Sequence, residues 1–247
     1  MRDVFADLVL GGTCVGCDRP GQPLCRPCAE TLPTRAHASW PSHAPVGMVT
    51  PWSPAAYDGL VRSMVVAHKE RRVLALRRPL ARLVAAGVAA AVPVDGEVVL
   101  VPVPSRPGSA RARGHDPTDA ITREAARLLR REGYAARRVR LLVSRGAVAD
   151  QAGLDAAARA ANLAGSMYCP TARLRRVAGR RLHFVVCDDV LTTGATVREA
   201  QRALEAVGLG VVGVATAAAT RLRSRPSPPV GNLTPTAFFG SSQQLPS

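Results

Sequence analysis

The segment 183-HFVVCDDVLTTGATVREAQRALEAV-207 opens with a short apolar run, Phe184 to Cys187. Its length and β-branched content are those of a strand buried on both faces. Two carboxylates follow at once, Asp188 and Asp189, then Val190 and Leu191, then a turn built from Thr192, Thr193, Gly194, Ala195 and Thr196. A helix comes next, with Val197, Ala200, Leu204 and Val207 on one face and Gly208 as its stop. Thr196 and Glu199 have capping-box spacing, which predicts that the helix begins there. A small-residue loop feeding a helix N-terminus can offer backbone N–H groups, threonine hydroxyls and the positive end of a dipole to a phosphate. The paired aspartates can accept hydrogen bonds from a sugar diol or sit near a divalent cation. A buried strand ending in a capped surface turn is the alternative; it covers an isolated DD or TTG but not the whole order.

Working outward, Val98 to Val103 (VVLVPV) is a second buried strand. It runs into PSRPGSARARGHDP, a loop of small residues and prolines carrying Ser105, Arg106, Arg111, Arg113 and Gly114. Asp116 caps a helix with Pro117 at its first position, and that helix ends at Gly133. A basic loop between a strand's carboxyl end and a helix N-terminus is where open α/β sheets bind ligands. Val139 to Val143 reads as a third strand. SRGAVADQAGLDAAARAANLAG, from Ser144 to Gly165, has the small-residue content of a lid. Gly165 to Cys169 reads as a short strand and Leu209 to Ala217 as the last core strand. From Arg221 onward Pro, Ser, Gln and Gly dominate, and the tail reads as disordered.

Toward the N-terminus, residues 1–13 look like a short amphipathic helix, with Val4, Phe5, Leu8 and Val9 on one side. Next comes CVGCDRPGQPLCRPC, which spaces Cys14 and Cys17 from Cys25 and Cys28 by seven residues. Two C-x-x-C pairs place four thiolates where a tetrahedral Zn2+ can take all of them, a structural site with no open position. Disulfides are the rival reading, but no export signal points to an oxidising compartment. Residues 31–54 read as a linker in which His37 and His43 are solvated. From Ala55 the helical period returns in two parts, with Leu60, Met64 and Ala67 on one face and Leu76, Leu80, Leu83 and Val84 on another. Lys69, Arg71 and Arg72 fall between them, and a solvated helix end accounts for at least two of the three.

The 247 residues suffice for one medium domain with a small appendage, and aromatics at 4% leave the core to Ala, Val and Leu. The formal charge is +15, and Lys69 is the sole lysine. Between Pro104 and Arg181 stand 17 Arg against 6 Asp plus Glu, a surplus that suits a polyanionic ligand, although arginine-rich coding alone gives the same excess. Leu83 to Val94 is too short to span a bilayer and contains Pro93, so no membrane insertion is expected. Asp3 and Asp7 spoil a signal peptide, and Thr13 stands where a lipoprotein would need a small cleavage-site residue. The expected compartment is the cytoplasm.

The run of apolar strand, two acids, two spacers, T-T-G, a small residue and Thr resembles the PRPP-binding signature of type I phosphoribosyltransferases, PRPP being 5-phosphoribosyl 1-diphosphate. The wider series is similar to the ComF family, phosphoribosyltransferase-like proteins linked to natural competence and DNA uptake. In this chain it comprises the four Cys; Tyr57, Gly59, Arg62 and Lys69; Val101 to Pro104; Arg113 to Asp116; Gln151, Leu154, Arg159 and Asn162; and Asp188 to Thr196. Where many members carry R-G-aromatic-N-Q, this chain has Arg113, Gly114, His115, Asp116 and Pro117, so no role passes to the missing Asn and Gln.

The resemblance implies an α/β fold of the type I phosphoribosyltransferase kind. A parallel sheet has helices on both faces, over residues 51–222, with a zinc module and linker at 1–50 and a tail at 223–247. It implies that Asp188 and Asp189 hold the ribose hydroxyls, and that Thr192, Thr193, Gly194, Ala195 and Thr196 cradle the 5′-phosphate. Ser105, Arg106, Arg111, Arg113 and Gly114 would face pyrophosphate bound with Mg2+, while Gln151, Arg159 and Asn162 belong to a lid. The implied activity is transfer of a phosphoribosyl group to an unidentified acceptor. The alternative is a non-catalytic accessory of DNA uptake that binds PRPP or single-stranded DNA, with a competence helicase as partner and the zinc knuckle as docking module.

Overall fold

The computed structural model describes residues 12–94, 96–105, 116–145, 165–177 and 182–220. The helix expected at the N-terminus lies almost wholly outside these residues, as do Arg106, Arg111, Arg113, Gly114, Gln151, Arg159, Asn162 and the tail. The elements up to the first long strand are β1 (Gly12–Thr13), β2 (Pro20–Gly21), α1 (Arg26–Glu30), β3 (His37–Ala38), β4 (Pro51–Ser53), β5 (Ala55–Ala56), α2 (Gly59–Glu70), α3 (Arg77–Ala91) and β6 (Glu97–Pro102). They continue through α4 (Pro117–Arg131), β7 (Ala136–Arg138), β8 (Val143–Ser144), β9 (Met167–Tyr168), α5 (Thr171–Leu174), β10 (Leu182–Leu191), α6 (Ala195–Glu205) and β11 (Val211–Ala219).

The apolar runs at 98–103 and 184–187 become neighbouring central strands. β6 and β10 pair in parallel, from Leu182 opposite Glu97 to Cys187 opposite Pro102, and β11 flanks β10 on its other side, also in parallel. The sheet runs β3-β4-β11-β10-β6-β7, with β5 pairing the end of β11; the β3–β4 pair is antiparallel and the rest parallel. Strand alternation sorts side chains into two cores. Val98, Leu100, Val185 and Cys187 pack with α2, α3 and α4, while Val99, Val101, Phe184 and Val186 pack with α6. Both faces are thereby covered, as a parallel sheet requires. The small side chains let helix and sheet approach closely: a Cβ on Gly87 of α3 would sit 2.9 Å from the Trp52 carbonyl oxygen, and one on Gly213 of β11 would sit 2.9 Å from the Ala91 Cβ.

β10 is longer than the apolar run that announces it. β11 stays paired with it through Asp188–Thr216, Val190–Ala218 and Leu191–Ala219, whereas β6 has already ended opposite Cys187. Both aspartates therefore lie within the strand, held on one side and open on the other. Helix α6 also begins earlier than its capping-box spacing predicts. Its N-cap is Gly194 at φ 79°, with the helix starting at Ala195. Glu199 is buried and faces β9 instead of reaching back, accepting a 3.0 Å hydrogen bond from the Met167 amide.

The third strand expected at Val139–Val143 is displaced to Ala136–Arg138. Its partner β6 sets the register, with Val98 opposite Ala136 and Leu100 opposite Arg138. This edge strand carries arginines rather than an apolar run because each finds an acid, Arg137 at 2.9 Å from Glu97 and Arg138 at 3.2 Å from Asp119. Val143 joins β8 and pairs with β9.

Residues 31–54 are not a plain linker. His37–Ala38 and Pro51–Ser53 extend the sheet, and Ser53 shares a buried hydrogen bond with Thr216 of β11. Between them, the buried Gln201 of α6 accepts from the Val49 amide at 3.1 Å and donates to the Gly47 carbonyl at 3.0 Å. Arg198 donates to the Val46 carbonyl at 3.0 Å. Proline-rich composition hid this segment because its backbone is satisfied by side chains distant in sequence rather than by a repeating ladder. Gln201→Leu is expected to destabilise the protein by about 1–3 kcal/mol in urea unfolding, since it strands two backbone groups. Wild-type stability in this variant would show that the segment does not depend on the clamp.

Candidate functional site

Where β6 stops and β10 continues, a cavity of about 530 Å3 opens at the carboxyl edge of the sheet. Asp188, Asp189 and Val190 of β10, Thr192 and Thr196 beyond it, Val103 to Ser105 after β6, and Thr118 of α4 line it. Tyr57 and the end of α2, including Lys69 and Glu70, close the opposite side. The structure thus brings Asp188, Asp189, Thr192, Thr196 and Ser105 together around one cavity. Thr193, Gly194 and Ala195 form the turn behind them. Gly194 is required twice over: its φ is left-handed, and a Cβ there would lie 2.9 Å from the Met48 Sδ and 3.1 Å from the Pro45 Cδ. The segment clamped by Gln201 thus backs the threonine turn.

The aspartates have opposite roles in the electrostatics. Asp189 is 3% exposed and forms an ion pair with the Lys69 ammonium at 2.6 Å. Burial works against charge on Lys69, but Asp189, with Asp188 and Tyr57 beyond, more than offsets it and holds the amine above its ordinary pKa. Asp188 sits beside this pair, and its carboxylate accepts from the Asp189 amide at 2.8 Å. Burial, then the charge of Asp189, lifts Asp188 well above the usual carboxylate range, against the opposing pull of Lys69 and that amide. One cation thus serves two acids. Composition and periodicity place Lys69 at a helix end with Arg71 and Arg72; those two are exposed, while Lys69 turns into the cavity. Two signals marked it: it is the one lysine in a chain with 33 basic residues, and it stands in the series Tyr57, Gly59, Arg62 and Lys69.

Behind Ser105 lies a supporting network. Its hydroxyl donates to Asp116 at 3.0 Å, and Asp116 caps α4 by accepting from the Asp119 amide at 3.2 Å. Arg140 reaches both Asp116 at 3.6 Å and Asp119 at 3.3 Å. Burial still lifts the Asp119 carboxyl above its ordinary pKa, against the pull of Arg138 and Arg140.

The four N-terminal cysteines converge. Their sulfurs all lie within 4.8 Å of one another, with Cys17 and Cys25 at 3.6 Å. Sulfurs around a tetrahedral Zn2+ stand about 3.8 Å apart, as Zn–S bonds of about 2.3 Å require, so this cluster can hold a metal ion such as zinc. Burial opposes ionisation of Cys14, yet amides of Cys25, Gly16 and Cys17 outweigh it and draw the thiol down to about 6. Cys28 is pushed up to about 12, first by its hydrogen bond with Cys25 and then by burial. A Cβ on Gly16 would sit 3.0 Å from the Cys28 Sγ and 2.7 Å from Leu60 of α2, so the knuckle seats directly on that helix.

No described helix is long and apolar enough to cross a membrane. The chain matches no protein-family model, and comparison with curated proteins finds no match.

Substitutions at the two aspartates are expected to move stability in opposite directions. The folded pKa of Asp188 is raised, so its contribution is favourable at low pH and is lost as pH rises through the folded value. Asp188→Asn should therefore raise the melting temperature at pH 7.5, by about 2–4 °C for each kcal/mol relieved, with the gain shrinking as pH falls. Asp189→Asn leaves Lys69 without its partner and should cost about 1–3 kcal/mol, the amine keeping some contact with water. Melting curves of the single variants between pH 4 and 8 check both signs; equal shifts would refute this division of roles.

Proposed function

We propose that this chain is a phosphoribosyltransferase-like protein that binds PRPP with Mg2+ and transfers its phosphoribosyl group to an acceptor, releasing pyrophosphate. The observation carrying this reading is the overhang of β10, which opens Asp188 and Asp189 into the same cavity as the threonine turn and Ser105. A ribose diol would donate to the carboxylates, which lie beyond the end of β6. The 5′-phosphate would meet Thr192, Thr196 and the N-terminal end of α6, where a helix dipole favours negative charge. Ser105 and the loop after it, with Arg106, Arg111, Arg113 and Gly114, are proposed to receive the pyrophosphate; Gln151, Arg159 and Asn162 are proposed to close over it. Mg2+ would have Asp188 as its protein oxygen donor and would neutralise charge on the departing pyrophosphate.

The chemistry such a site favours is dissociative at the anomeric carbon. Carboxylates beside the sugar stabilise positive charge developing on the ring, while cations stabilise the leaving group. No protein nucleophile is needed, because the acceptor supplies the attacking atom. Membership of the ComF family follows as a proposal from the same residues, with the four cysteines holding a structural Zn2+.

Wild-type protein is expected to bind PRPP in MgCl2 calorimetrically, and Asp188→Asn with Asp189→Asn to lose about 2–4 kcal/mol of that binding. Pyrophosphate release from PRPP with nucleobases or cell extract would identify the acceptor. Binding without turnover, together with salt-dependent binding of single-stranded DNA, would favour the accessory role in DNA uptake instead. An unchanged dissociation constant in a folded double variant would overturn the site. Elemental analysis of protein purified under reducing conditions is expected to give about one Zn2+ per chain, and chelation to unfold the N-terminal module; metal-free protein with that module intact would sink the zinc reading.

A further inference from the structure

Among the described residues, Lys69 stands apart from the cations of the ion pairs below. Arginine is the cation in Arg26–Glu30, Arg127–Glu124, Arg137–Glu97, Arg138–Asp119, Arg140–Asp116, Arg140–Asp119, Arg198–Glu205 and Arg202–Glu199. For holding a carboxylate permanently, a guanidinium is at least as good, since its planar fork can pair both oxygens. A static pair therefore gives no reason for lysine at this one position. An ammonium differs in being a compact point charge on a flexible four-carbon stem, able to turn from one anion to another without a fixed plane. Lys69 is placed to do this. Its amine is 2.6 Å from Asp189, its side chain is 34% exposed where that of Asp189 is 5% exposed, and it lines the cavity together with Tyr57, Ser105 and Asp188.

We propose that Lys69 is an exchangeable counter-ion. It holds Asp189 before ligand enters, and it transfers to a ligand phosphate oxygen as Asp189 accepts a ribose hydroxyl. The site thereby selects molecules that carry a vicinal diol and a phosphate together. This rests on the PRPP reading above and adds to it the source of selectivity. Inorganic pyrophosphate alone would draw the ammonium away and leave Asp189 bare in a buried position, a costly state. A ribose hydroxyl alone would have to compete with an ammonium already bound. A phosphorylated ribose satisfies both charges at once, so wrong ligands are rejected by the unpaired group they leave behind. No covalent bond forms or breaks in this exchange.

The single lysine makes the test direct. Full-length protein labelled with 13C and 15N in lysine alone has one side-chain Cε–Nζ signal, which reports Lys69 and nothing else. PRPP in MgCl2 should shift that signal to a single new position, whereas inorganic pyrophosphate or unphosphorylated ribose at the same concentration should leave it near its starting point. Lys69→Gln should weaken PRPP binding by about tenfold or more and reduce the discrimination against pyrophosphate. Lys69→Arg should recover stability without recovering that discrimination. Should Lys69→Gln fold poorly, the labelled wild type still decides, since it needs no substitution. PRPP binding with an unmoved lysine signal would overturn the exchange while leaving the PRPP site intact. A pyrophosphate-induced shift equal to that from PRPP would overturn the selectivity. Absence of PRPP binding to the wild type would overturn this inference and the reading beneath it.

Discussion

The parallel pairing of β10 between β6 and β11 sets everything else, because the three strands do not end together. β11 follows β10 to Leu191, while β6 ends opposite Cys187. A strand flanked on both sides is a poor place for acids, since its faces are buried and its edges consumed. A strand that outruns one neighbour gains a half-open edge at its end. Asp188 and Asp189 occupy that edge, and the neighbouring helix supplies Lys69 as a cation beside both. A core of Ala, Val, Leu and Gly, in which α3 lies against β11 at the limit of contact, keeps the strands in this fixed stagger.

Charge is used differently from what the composition suggests. The arginine surplus between residues 104 and 181 invites a polyanion, yet many of its described members work within the fold. Arg137 and Arg138 satisfy acids along the edge strand, Arg140 spans Asp116 and Asp119, Arg130 donates to the Ala136 carbonyl and Arg173 to the Leu142 carbonyl. These contacts hold the strand and helix that stand behind Ser105. The cation facing the cavity from α2 is instead the solitary lysine. Net charge therefore says less about a ligand than the position of a single amine does.

Helix α2 connects two features that lie far apart in sequence. Its first turn receives the cysteine knuckle through Leu60 and Gly16, and its last turn presents Lys69 to Asp189. Nine residues of helix separate these ends by about 14 Å. Val15, Leu24 and Leu32 of the knuckle pack against the same core as α2, so metal bound by the cysteines would stiffen the support on which Lys69 stands. The segment before β4 does the same for the threonine turn, through Gln201, Met48 and Pro45.

Local pattern determined a good deal. The apolar runs at 98–103 and 184–187, the Asp116–Pro117 helix start, the paired aspartates with their threonine turn, and the C-x-x-C pairs are each written in adjacent residues, where strand period, capping chemistry and ligand spacing leave their mark. Tertiary structure decided what adjacent residues cannot encode. β6 fixed the register of β7 and moved it from Val139–Val143 to Ala136–Arg138, and the continued pairing of β11 drew both aspartates into β10. Glu199 was claimed by the Met167 amide rather than by a helix cap, and Gln201 turned an irregular segment into a buttress. Lys69 is the sharpest case. In sequence it is one of three basic residues at a helix end, and only the packing of α2 across the sheet edge carries its amine to Asp189. A charge's role depends on the dielectric and the partner it meets, and both are properties of the folded chain.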